Sequence, residues 1–100
     1  MGITKAEALK AVDRERGPVC EASDRIWDQP ETAFQEFHST DVLCELLEKE
    51  GFRVERNLAG IATAFSGTYG SGKPVVGILG EFDALSGLSQ ESESLEKTAL

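Results

Sequence analysis

Between Ile3 and Trp27 the apolar positions Leu9, Val12, Val19, Ala22, Ile26 and Trp27 fall near one face of a 3.6-residue period, with Ser23 on its flank, and predict a helix. Gly17-Pro18 interrupts it. Proline lacks the amide donor that an interior turn needs, so a kink is expected there, or a restart with Pro18 in the first turn. Asp28-Gln29-Pro30 ends the segment, and Phe34 and Phe37 follow in a short linker expected to dock on the core. Ser39-Thr40-Asp41 signals a second helix, with hydroxyl cap candidates followed by an acid where the helix dipole favours it. Its buried stripe is Val42, Leu43, Leu46 and Leu47, while Glu45, Glu48, Lys49 and Glu50 point outward. Gly51 is a good left-handed terminator.

The period then changes. Phe52-Arg53-Val54-Glu55-Arg56 alternates as a strand does, and Ile61, Thr63 and Phe65 against Ala62, Ala64 and Ser66 suggest another. Gly70-Ser71-Gly72-Lys73 reads as a turn. Val75-Val76-Gly77-Ile78-Leu79 is apolar on both faces, the pattern of a central strand covered on each side. The fold class expected is α/β, with two N-terminal helices followed by strands of a mixed sheet. From Ser86 to Leu100 a Ser/Glu-rich run reads as solvated and flexible, with one weak helical turn near Leu95. No internal repeat is present.

One hundred residues make a single domain with one modest core. Ten basic against eighteen acidic residues leave a net charge of −8, which speaks against nucleic acid or an anionic membrane as partner. No apolar run is long enough to span a bilayer. The N-terminus has no hydrophobic signal core, and Ala6 stands where a myristoylation signal wants Ser or Thr, so a cytoplasmic location is expected. Cys20 and Cys44 lie beside apolar neighbours and read as small hydrophobes rather than a disulfide pair. With His38, they make three Cys and His residues, too few for an internal four-ligand zinc site of that type.

One place in the pattern points to chemistry. The apolar run ends in Gly80-Glu81-Phe82-Asp83-Ala84-Leu85, and alternation puts Glu81 and Asp83 on one face with Phe82 on the other. Open α/β sheets place their sites at the carboxyl ends of strands, and two like charges this close are relieved by a cation or a shared proton. A metal centre is the functional reading; a strand simply returning to solvent is the plainer one, and spacing alone slightly favours it. Gly67-Thr68-Tyr69-Gly70-Ser71-Gly72-Lys73 imitates a phosphate-binding loop, but Pro74 stands where a hydroxyl is needed and a strand follows instead of a helix. A hairpin turn is expected. His38 lacks a partner histidine at ligand spacing and reads as a surface or capping residue. Glu45, Glu48 and Glu50 form a solvated face, and Glu91 and Glu93 belong to the polar tail.

Trp27-Asp28-Gln29-Pro30-Glu31, with Phe34 and Glu36, resembles an N-terminal motif of the metal-dependent aminoacylase and carboxypeptidase superfamily, the zinc exopeptidases. Gly51-Phe52-Arg53-Val54, Gly72-Lys73-Pro74-Val75-Val76 and the run from Gly80 to Gln90 are similar to its p-aminobenzoyl-glutamate hydrolase branch. The resemblance covers about Ser23 to Gln90. It implies a hydrolase of amide bonds in N-acyl amino acids or dipeptides, such as p-aminobenzoyl-glutamate, with a two-metal centre, usually zinc, and assembly into homo- or hetero-oligomers. By position, Asp83 matches the family's aspartate after the strand, which orients a metal ligand. Glu81 stands where some branches place a metal-binding histidine and is metal-proximal at most. The departures are Ser86, where many relatives have proline, and the absence from these residues of the family's Gly-His-Gly-Cys-Gly-His-Asn motif, its general-base glutamate and its lid and dimerisation domain. The resemblance therefore implies the first part of a catalytic domain, inactive by itself and holding no metal alone. A noncatalytic product that associates with a full-length subunit, or an unrelated small α/β binding module, are the rival readings.

Overall fold

The computed structural model describes residues 2–88. Helix α1 (Lys5–Asp28) starts where the Thr4 hydroxyl accepts the Glu7 amide at 3.2 Å, with Glu7 in the first turn and Arg25 in the last, as the helix dipole favours. It runs unbroken through Pro18, against the expected kink or restart. The missing amide removes one helical bond, to the Arg14 carbonyl, on a face open to water that can solvate the freed oxygen. The helix ends at Asp28, where the Gln29 amide turns back to the Ile26 carbonyl.

Only the C-terminal half of the α1 stripe is packed. Ala22 is buried and Ile26 half-buried, facing α2 across a crevice lined by Pro18, Ala22, Arg25, Val42, Glu45 and Leu46. Leu9, Val12, Val19 and Trp27 remain exposed, because α2 is little more than half the length of α1 and covers no more of it. Cys20 is exposed as well, unlike the buried hydrophobe expected, whereas Cys44 is fully buried.

Helix α2 (Phe37–Lys49) begins earlier than the Ser39-Thr40-Asp41 signal predicts. Val42 and Cys44 are buried and Leu43, Leu46 and Leu47 half-buried, while Glu45, Glu48, Lys49 and Glu50 face solvent as expected. Gly51, at φ 90°, ends the helix: its amide donates to the Glu48 carbonyl at 3.0 Å and the Phe52 amide to the Leu47 carbonyl at 2.9 Å. This pair of reversed bonds satisfies the last helical carbonyls and turns the chain directly into the sheet.

The sheet has two antiparallel strands, β1 (Arg53–Arg56) and β2 (Phe65–Thr68), with Val54 opposite Gly67 and Arg56 opposite Phe65. β1 follows the alternation; β2 starts later than the pattern from Ile61 suggests. The loop between them makes a 3-10 turn at Leu58–Gly60 and a further turn through Ala62 and Thr63. A Cβ on Gly67 would meet Leu47 Cδ1 at 2.9 Å and Phe52 Cδ2 at 3.6 Å, so glycine lets β2 lie close over the end of α2. The Phe52 and Tyr69 rings meet beside it at a tilt of 48°, with centroids 5.2 Å apart.

Beyond β2 the chain bends at Gly70 and Gly72–Pro74, the left-handed Gly70 and Gly72 making the expected turn. The central strand expected at Val75–Leu79 and the hairpin expected before it do not form. Val75, Val76, Ile78 and Leu79 are 84, 81, 95 and 92% exposed, and the segment belongs to no ladder. A strand apolar on both faces needs a neighbour on each edge and a layer on each side, and β1, β2 and the two helices are committed to one another instead. The mixed sheet is accordingly reduced to one antiparallel pair among the described residues. Residues 89–100, including most of the Ser/Glu-rich run and the turn near Leu95, lie outside the described residues.

Candidate functional site

The N-terminus of α2 has no cap from its own N-cap residue, Glu36. Its orphan donors are met instead by Glu31, whose carboxylate accepts the His38 amide at 2.9 Å and the Ser39 amide at 2.7 Å. A negative group placed on two first-turn amides satisfies hydrogen bonding and helix dipole together. Burial pushes the Glu31 carboxyl up, but the two amide donors outweigh it and hold the group below the ordinary 4.5. Ser39 and Thr40, expected as caps, are buried inside the first turn, and His38 is half-buried there rather than on the surface.

A second polar connection fixes the loop of the sheet to this end. The buried Thr40 hydroxyl donates to the Thr63 carbonyl at 3.0 Å, and the Thr63 hydroxyl donates to Glu36 at 3.1 Å. His38 Nε2 and the Ser39 hydroxyl are buried without hydrogen-bond partners among the described residues. Phe34 and Phe37, expected to dock on the core, stay exposed, because it is Glu31 and Glu36 of this linker that turn inward. Phe34 takes a left-handed φ of 65° in making the reversal.

The acidic segment is drawn to the same place. The Ala84 amide donates to the Glu31 carbonyl at 2.7 Å, and the Phe82 ring lies against Phe65 with centroids 5.8 Å apart. Phe82 and Ala84 are half-buried while Glu81, Asp83 and Leu85 are exposed, the two-residue alternation of extended chain. Glu31 thus holds α2 with its side chain and the Glu81–Asp83 segment with its backbone. Two acids are presented to solvent on an anchored strap. They supply too few donors for a two-metal centre, and among the described residues no three His, Cys, Asp or Glu side chains converge to hold a metal ion. The residues described do not by themselves fit such a centre.

Cys44 is a free, fully buried thiol. Burial pushes its thiol up, only partly offset by Arg56, and the protonated form is a poor nucleophile. Arg56 is held by Asp41 at 2.6 Å, an exposed pair across α2 and β1.

The residues that organise this region, Glu31, Glu36, Thr40 and Thr63, stand out in the chain only weakly. Glu31 and Glu36 belong to the motif around Trp27-Asp28-Gln29-Pro30, while the local cap signal pointed to Ser39 and Thr40 instead. The 80–85 run and the 27–36 motif, apart in sequence, meet through the Ala84–Glu31 bond.

No protein-family model matches the chain. It is 44% identical over 90 residues to one of the subunits of the p-aminobenzoyl-glutamate hydrolase of Escherichia coli (strain K12). The chain is a relative of that hydrolase subunit. The match takes in 90% of this chain and 19% of the relative's length. No helix among the described residues is long and apolar enough to cross a membrane.

Proposed function

We propose that this chain contributes part of the catalytic domain of a metal-dependent amidohydrolase that cleaves N-acyl amino acids or dipeptides, such as p-aminobenzoyl-glutamate. The 44% identity across nine-tenths of the chain carries the reading. The Ala84–Glu31 backbone bond, which joins two of the segments that resemble the family, supports it.

In this reading Glu31 and the Phe65–Phe82 contact position the strap, Asp83 orients a metal ligand and Glu81 stands near the metal. That metal is a divalent ion, zinc by family resemblance, with its main ligands supplied by residues other than those described. On this reading the described residues alone do not make a two-metal centre, and the chain by itself is expected to turn over no amide. The same reading makes the partners a small amide substrate and further subunits, like or unlike, with no nucleic acid or membrane, and gives a cytoplasmic location.

The experiment is a chimera in which this chain replaces the matching 90 residues of the Escherichia coli relative. Hydrolysis of p-aminobenzoyl-glutamate should persist, and Asp83→Asn should lower activity or metal affinity by about 10–100-fold. A folded chimera without activity, or one indifferent to Asp83→Asn, refutes the assignment. The isolated chain should show neither stoichiometric zinc uptake against a chromogenic chelator nor turnover.

A further inference from the structure

The loop between β1 and β2 carries two left-handed residues that are not glycine, Asn57 at φ 57° and Ala59 at φ 53°. For the alanine this is strained, and a strained loop keeps its shape only where its surroundings over-determine it. Thr63 supplies that constraint. It is a polar loop residue, yet only 5% of it is exposed. Its carbonyl accepts the Thr40 hydroxyl at 3.0 Å, and its own hydroxyl donates to Glu36 at 3.1 Å. Both partners stand at the start of α2, so Thr63 is clamped to that helix through backbone and side chain together.

Two residues further on, Phe65 opens β2 and its ring lies against Phe82 of the acidic strap. The Ala84 amide is held by the Glu31 carbonyl. Asp83 is the one residue between these two tethers. With a fixed neighbour on each side and extended alternation between them, the direction of its side chain follows from where Phe82 and Ala84 are held. Displacing the Phe65 ring displaces one of the two.

We propose that Thr63 is a positioning residue for Asp83: clamped by Thr40 and Glu36, it fixes Phe65, which through Phe82 sets the direction in which Asp83 leaves the strap. The use made of Asp83 rests on the hydrolase reading, whereas the coupling rests on contacts within this chain.

The coupling is tested on the full chain by amide hydrogen exchange. Thr63→Val keeps the shape of the side chain and removes the hydroxyl that Glu36 accepts, while Thr63→Ser keeps the hydroxyl. Exchange of the Ala84 amide should quicken about tenfold in Thr63→Val and stay at the wild-type rate in Thr63→Ser, with the Leu46 and Leu47 amides of α2 unchanged. Glu36→Met breaks the same bond from its other end and should reproduce the Thr63→Val result. Unchanged Ala84 exchange in Thr63→Val and Glu36→Met, or an increase shared by the whole of α2, overturns the proposal. The use of Asp83 is tested in the chimera with the Escherichia coli relative. There Thr63→Val should lower kcat about tenfold with KM unchanged, and Thr63→Ser should restore it. In an Asp83→Asn background Thr63→Val should cost nothing further, because both substitutions act on one group. An equal loss in both backgrounds is what a role in stability alone predicts, and it overturns the proposal. If Asp83→Asn has no effect in an active chimera, the hydrolase reading fails, while Ala84 exchange still decides the coupling.

Discussion

Glu31→Ala is the perturbation on which the structure makes its sharpest demand. The substitution removes the acceptor of two amides, at 2.7 and 2.9 Å, one of them on fully buried Ser39. Loss of a single helix-cap acceptor costs about 1 kcal/mol, and a negative charge at a helix N-terminus adds about 0.3–1 kcal/mol. Two donors and one charge place the loss at about 2–3 kcal/mol, a large share of the margin by which a small domain is folded. Glu31→Gln keeps one oxygen at similar size and should cost about half as much, since the charge and one acceptor are lost. Urea unfolding followed by helix signal measures both, with an unchanged denaturant slope expected. The pH dependence has a defined sign. Because the folded carboxyl is held below 4.5, its contribution is full above that value and is lost as pH falls through the folded pKa. The gap between wild type and Glu31→Gln should therefore close on acidification below that value. A Glu31→Ala protein within about 0.5 kcal/mol of wild type at neutral pH would refute the capping role, since that is the ordinary range for surface substitutions.

Three further outcomes follow from single residues. Phe34→Gly should stabilise by about 0.5–1 kcal/mol in thermal unfolding, because an exposed side chain at φ 65° gives up left-handed strain that exceeds glycine's entropy cost. Ala84→Pro deletes the donor to the Glu31 carbonyl and should cost about 1 kcal/mol. It should also speed protease cleavage between residues 69 and 85, read by mass spectrometry, and an unchanged cleavage rate would show that the strap is not held there. Desolvation, together with the neighbouring Glu50 carboxylate, raises the Glu15 carboxyl above 4.5, so the folded state binds its proton more readily than the unfolded chain. Stability from this site declines as pH rises through that raised value, and Glu15→Gln should stabilise at neutral pH with the gain vanishing in acid.

Where an element depends on residues three or four apart, the chain alone determined it. Thr4 caps α1, Gly51 ends α2 in a left-handed turn, and the Val42–Leu47 stripe packs as its period requires. Alternation likewise marked β1 and separated Glu81 and Asp83 from Phe82. These are consequences of local geometry, in which a residue's neighbours are set by the helical or extended repeat. The cap of α2, by contrast, comes from Glu31, and the loop of the sheet is pinned by Thr40, Thr63 and Glu36. No local repeat specifies those partners, since they meet only after the chain has reversed at Phe34 and β2 has closed on β1. Val75–Leu79 shows the same division: its composition says that both faces want cover, but only tertiary structure supplies cover, and α1, α2, β1 and β2 pack on one another and not on it. Hydrophobic pattern states a demand for burial, and whether it is met depends on surfaces that distant residues bring into contact.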